Sequence, residues 1–152
     1  MKSGPLIEVE AMFVQTAAGV EGGSGKLTLR GLAPSTLYFS DRPQRVVGHV
    51  SSRQFVDLWA LGENSFAEDP PNAVLAFVHL DDERLDDVVM MLRDPSLDGD
   101  GITYTVDVLE GSLPGRAGSC SLFIDPLGRP LSPVSVMGVH RRARRRARRG
   151  PR

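Results

Sequence analysis

The chain has 152 residues, 41% of them hydrophobic, a single cysteine and a formal net charge of −1. That length supports one core but not two ordinary domains, and one cysteine excludes an intrachain disulfide and a cysteine-rich metal site. The small net charge is a cancellation: residues 1–139 carry ten basic and nineteen acidic side chains, while residues 140–152 carry eight arginines.

This split predicts an acidic β-rich body, residues 1–139, followed by a cationic tail, residues 140–152. The tail is expected to be disordered, because mutually repelling arginines bury no apolar surface. The amino terminus runs from Met1-Lys2-Ser3-Gly4-Pro5 directly into Glu8 and Glu10. It has no apolar signal-peptide core, and no stretch of the chain is long and apolar enough to span a bilayer. As it stands the chain reads as soluble and cytoplasmic, or exported if a leader has been removed.

Taken in chain order, the apolar periodicity is mostly two. Ile7 to Gln15 reads as a first strand with Ile7, Val9, Ala11 and Phe13 on one face, followed by a glycine-rich turn from Gly19 to Gly25. Lys26 to Leu32 follows with Leu27 and Leu29 inward. Pro34-Ser35 turns the chain into a strand from Thr36 to Ser40, and Asp41-Arg42-Pro43 breaks it before a strand from Arg45 to Val50.

The one helix is expected over about residues 52–61. Ser51 caps it, Gln54 completes a capping box, and Phe55, Leu58 and Trp59 share a face before closure at Gly62. Glu63 to Asn72 is a loop. Ala73 to Leu80 and Leu85 to Leu92 are strands apolar enough to be buried on both faces, and Arg93 to Gly101 connects the second to the next. Ile102 to Leu109 alternates, with Ile102, Tyr104, Val106 and Val108 on one side. Cys120 to Ile124 is the last strand. About eight short strands and one helix predict a mainly β, single-domain antiparallel β-sandwich or small β-barrel.

The most suggestive polar cluster lies around the turn between Tyr38 and His49. Tyr38, Ser40, Asp41, Arg42, Arg45 and His49 lie around it, and Tyr38, Asp41, Arg42 and His49, together with Trp59, are candidates for a small-ligand site, since a strand-turn-strand unit can converge a carboxylate, a guanidinium and an imidazole. The plainer reading makes Asp41 an Asx-turn residue ahead of Pro43, Arg42 an ion-pair partner and His49 a strand end.

His49, His79 and His140 have no paired metal-ligand spacing, so a metal would need tertiary assembly, and no metal site is assigned. Asp94 to Asp100 imitates the start of a calcium loop, but Thr105 stands where a bidentate glutamate belongs. Cys120 sits in an apolar strand without an acidifying neighbour in sequence. Gly22-Gly23-Ser24-Gly25 lacks the residues of a phosphate-binding loop, so no cofactor is indicated. In the tail, Arg141, Arg142, Arg144, Arg145, Arg146, Arg148 and Arg149 are candidates for weak, nonspecific polyanion binding. The alternative is a solvated extension.

Leu37-Tyr38-Phe39-Ser40-Asp41-Arg42-Pro43, Gly48-His49, Phe55-Val56-Asp57-Leu58-Trp59 and Ser65 to Ala73, together with Leu122 to Pro126 and Pro130 to Arg142, resemble a group of small bacterial β-rich proteins for which no activity is known. The resemblance covers most of residues 10–142 and implies a shared fold. Members of that group often begin with a secretion signal.

The residues together suggest a binding module that engages a protein or small ligand through the Tyr38–His49 turn and the Gly62–Asn72 loop, with the arginine arm adding nonspecific affinity. The alternative is a cofactor-independent enzyme with His49 or Asp41 as general acid-base and Arg42 as anion stabiliser. A third reading is nucleic-acid association through the tail alone.

Overall fold

A computed structural model describes residues 11–40, 45–61 and 65–125. Nine strands and one helix follow in the order β1 (Met12–Gly23), β2 (Lys26–Leu32), β3 (Ser35–Ser40), β4 (Val46–Ser51), α1 (Ser52–Leu58), β5 (Asn72–Val78), β6 (Leu85–Asp98), β7 (Gly101–Glu110), β8 (Arg116–Ala117) and β9 (Cys120–Ile124). All strand pairs are antiparallel. The path β2-β7-β6-β5-β9-β1 closes on itself through the β1–β2 pairing, which makes a six-stranded barrel. Of the two expected architectures, the barrel is the one that forms, and closure removes the sheet edges that an open sheet would expose.

The barrel interior is filled by Leu27, Leu29, Leu75, Met90, Leu92, Ile102, Tyr104, Leu122 and Ile124, none of them in contact with water. Leu27 and Leu29 point inward as their spacing predicts, and so do Ile102, Tyr104 and Val106; Val108 is largely exposed. Helix α1 adds Phe55 and Trp59 to this core, with Trp59 5.8 Å from the Tyr104 ring and Phe55 5.2 Å from the Phe13 ring. The capping box that starts the helix is present: Ser51 Oγ accepts the Gln54 N–H, and the Ser51 N–H donates to Gln54 Oε1. The helix ends earlier than expected, at Leu58 with Trp59 as its C-cap; Gly62 lies outside the described residues.

The largest departures from the sequence reading are at the ends of β1 and β6. β1 runs through Gly19 and Gly22 to Gly23, where a turn was expected, and the reversal itself takes only Ser24 and Gly25, both at positive φ (55° and 74°). These dihedrals suit a two-residue hairpin turn. Gly22 serves close approach within the strand, because a Cβ there would stand 2.4 Å from the Pro114 carbonyl oxygen. Residues 7–10 of the expected first strand lie outside the described residues.

β6 continues beyond Leu92 to Asp98, through the expected connection. Its register against β7 shifts between Arg93 and Ser96, with Asp94 at φ 54°. This one-residue bulge accommodates Pro95, which has no N–H to give to a ladder. Asp94, Asp98 and Asp100 therefore belong to a bulged strand and its hairpin rather than to a metal loop. Asp98 and Asp100 lie 3.4 and 3.6 Å from the Arg30 guanidinium. The short strand β8, paired with Val20 and Glu21 of β1, carries no periodicity and was not anticipated. The expected tail, residues 140–152, lies outside the described residues.

Candidate interaction surface

β3 and β4 form a hairpin that extends the barrel sheet beyond β1. Phe39 pairs with Met12 and Val47, Leu37 with Val14 and His49, and Tyr38 with Phe13 and Gly48. Directly opposed residues of an antiparallel pair share a face, so Tyr38 and Gly48 lie on one side of the hairpin while Leu37, Phe39, Val47 and His49 lie on the other.

The inner side is set by hydrogen bonding. Gln15, buried inside the barrel, donates through Nε2 to Thr36 Oγ1 at 3.1 Å and accepts the Tyr104 hydroxyl hydrogen at 2.7 Å. A buried amide needs such partners, and only the even-numbered face of β3 can supply one from position 36. Thr36 and Ser40 consequently face inward and are buried. Tyr38 follows them, its ring 6.0 Å from Phe13 and its hydroxyl end lying over Gly48, whose missing Cβ would stand 2.5 Å from the Tyr38 oxygen.

That arrangement turns the apolar face of the hairpin out. Leu37, Phe39 and Val47 are 49%, 38% and 76% exposed. Along β3 the usual polarity is inverted, with hydroxyls inside and large apolar side chains outside. β4 ends the strand order, and among the described residues no strand pairs with its outer edge.

Of the ligand-site candidates from sequence, Tyr38, His49 and Trp59 lie among the described residues, each in a different setting. Tyr38 is half-buried on the inner face, His49 is exposed on the outer face beside Leu37, and Trp59 is a core residue 4.9 Å from the Phe66 ring. Asp41 and Arg42, the Gly62 end of the adjoining loop, and the tail residues Arg141, Arg142, Arg144, Arg145, Arg146, Arg148 and Arg149 all lie outside the described residues. Leu37, Phe39 and Val47 were missed as surface residues because alternation alone assigns apolar side chains to the core. The signal that could have placed them is the buried Gln15, whose need for a partner fixes which face of β3 turns inward.

At the far end of β5, His79 Nε2 lies 3.0 Å from Asp86 Oδ2, and its ring packs on Phe77 at 5.2 Å. Next to this pair, a shallow groove of about 600 Å³ lies along β1, β9, β5 and β6, with Thr16, Ala76, Val78, Leu85, Asp87 and Ser121 among its lining residues. Cys120 is buried, and that burial pushes its thiol up to about 11, away from the thiolate a nucleophile needs. Among the described residues, no three His, Cys, Asp or Glu side chains are grouped to hold a metal, and no helix is long and apolar enough to cross a membrane. No family model, curated protein or solved structure matches the chain.

Proposed function

We propose that this protein is a β-barrel interaction module that engages a protein partner through the outer face and the outer edge of the β3–β4 hairpin. The observation that carries this reading is the inverted polarity of β3, which leaves Leu37, Phe39 and Val47 together in water at the end of the sheet. Contiguous exposed apolar surface of this kind marks binding sites. A terminal strand with no charge or proline within it, Val46 to Ser51, offers main-chain hydrogen bonds to an incoming strand. His49 beside Leu37 supplies a polar contact at the rim of the apolar face.

The test is site-specific photocrosslinking of the full chain in its native host, with the crosslinker at position 47 and, as a control, at position 103 on the barrel wall. A discrete adduct from position 47 that disappears with Leu37→Asp supports the reading. Equal labelling from both positions, or none from position 47, overturns it.

A further inference from the structure

The outer face of the barrel wall contains a second apolar row. Val14, Phe123, Val74 and Val89 are aligned across β1, β9, β5 and β6 by direct pairing. They alternate with the inward residues Leu75, Val88 and Leu122, so they point away from the interior. Even so, Val74 and Val89 are only 1% exposed, and among the described residues Phe123 is the partly buried apolar side chain packed against them. Valines on the open side of a sheet are screened by their strand neighbours only in part, so an exposure this low calls for a covering segment.

The surroundings specify what that segment must be. On one side of the row lies Asp125, where the chain leaves β9 on this same face. On the other side lies the row Thr16-Ser121-Ala76-Asp87, which floors the shallow groove. Beyond the groove is the β5–β6 hairpin, where Asp81, Asp82, Glu83, Asp86 and Asp87 are set against Arg84 and His79. Asp82 is held below the usual carboxylate range, chiefly by the Arg84 backbone N–H. Same-face rows are spaced by two residues, so Asp125 stands about 13 Å from the groove floor along the strand.

We propose that the chain's own carboxy-terminal segment, residues 126–152, lies back across this face, covering Val74 and Val89 and setting its arginines against the acidic β5–β6 hairpin. Length permits it: fifteen residues from Pro126 to His140 reach about 50 Å when extended, far more than the path requires. Composition fits it in order. Leu127, Leu131, Val134, Val136, Met137 and Val139 come first, opposite the apolar row, and the eight arginines of residues 140–152 follow, at the acidic end. The acidic body and the cationic tail are then two halves of one intramolecular contact, and a polyanion that binds the arginines competes with the protein's own hairpin. The row meets the outer face of β3–β4 at the Val14–Leu37 pair, but the groove and the acidic hairpin lie beyond β9, along β5 and β6, so contact there is read at different residues from the hairpin reading and can fail without it.

The experiment uses the full chain carrying Gly150→Cys with a nitroxide label. Cys120, buried and with its thiol pushed up to about 11, stays unlabelled at neutral pH. Amide signals of residues 78–87 and 119–121 are expected to be lost to paramagnetic broadening at low salt. They return in Asp81→Asn/Asp82→Asn/Glu83→Gln, and in about 1 M salt, where the screening length is near 3 Å. Broadening spread evenly over the barrel, or concentrated on β3–β4, overturns the proposal. So does broadening that the triple variant leaves unchanged while the rest of its spectrum matches the parent. Leu131→Asp/Val134→Asp, which keeps every arginine, is expected to weaken the broadening as well; an undiminished signal loss in that variant overturns the covering of Val74 and Val89.

Discussion

The Tyr104 hydroxyl donates to Gln15 Oε1 at 2.7 Å, across 89 residues of chain and inside a barrel where neither side chain meets water. This contact joins β7 to β1, and through Gln15 Nε2 it reaches Thr36 on β3, so it orients the hairpin as well as the core. Tyr104→Phe leaves a buried carbonyl oxygen without its donor and is expected to destabilise the protein by about 1–3 kcal/mol. Gln15→Leu strands the tyrosine hydroxyl and Thr36 by a similar amount. The double variant is expected to lose less than the two single losses combined, because it removes both polar groups together. Urea denaturation of the four proteins measures the coupling.

Alkaline pH should unfold the protein from a predictable onset. Burial raises Cys120 from 9.0 to about 11, and burial raises Tyr104 further still from its ordinary value of 10.0. Between the unfolded and folded values the unfolded chain gives up its protons while the folded chain keeps them, so stability falls as pH rises. From these two groups, stability is expected to be unchanged between neutral pH and pH 9, to decline above it as the unfolded thiol ionises, and to decline more steeply above pH 10 with the unfolded phenol. Thermal melts across this range check the onset, and Tyr104→Phe is expected to flatten the steeper part.

The cap of α1 is open to a direct measurement. Ser51→Ala removes the acceptor for the Gln54 N–H and is expected to cost about 1 kcal/mol, whereas Ser51→Asp keeps an acceptor and costs little. The loss matters beyond one hydrogen bond, because this seven-residue helix positions Phe55 and Trp59 in the core. Denaturation midpoints of the two variants separate capping from simple substitution at a strand end.

Close backbone approach gives a fourth prediction. A Cβ on Gly101 would stand 2.3 Å from the Leu29 carbonyl oxygen at the β2–β7 seam, whereas one on Gly115 meets nothing within 4 Å. Gly101→Ala forces the two strands apart and is expected to destabilise by roughly 1–3 kcal/mol. Gly115→Ala is expected to stay within about 0.5 kcal/mol of the parent. Comparable melting temperatures for the two would contradict the packing seen at the seam.

Local chemistry was legible in the sequence wherever neighbours in the chain decide the outcome. The Ser51-to-Gln54 capping box, the inward Leu27 and Leu29, and the bounds of the strand from Cys120 to Ile124 follow from hydrogen-bonding groups and periodicity a few residues apart. The strand through Gly19 to Gly23 and the bulge at Asp94 were not legible, because each depends on a distant partner: Pro114 approaching Gly22, and Thr103 to Thr105 absorbing the extra residue of β6. The candidate surface belongs to the same class. Sequence alone determined that residues 35–51 hold two β-forming segments with a break between them. Only the tertiary structure decided which face of them meets water, because that choice rests on Gln15, buried more than twenty residues upstream of Thr36, whose side-chain amide costs too much to leave without a partner.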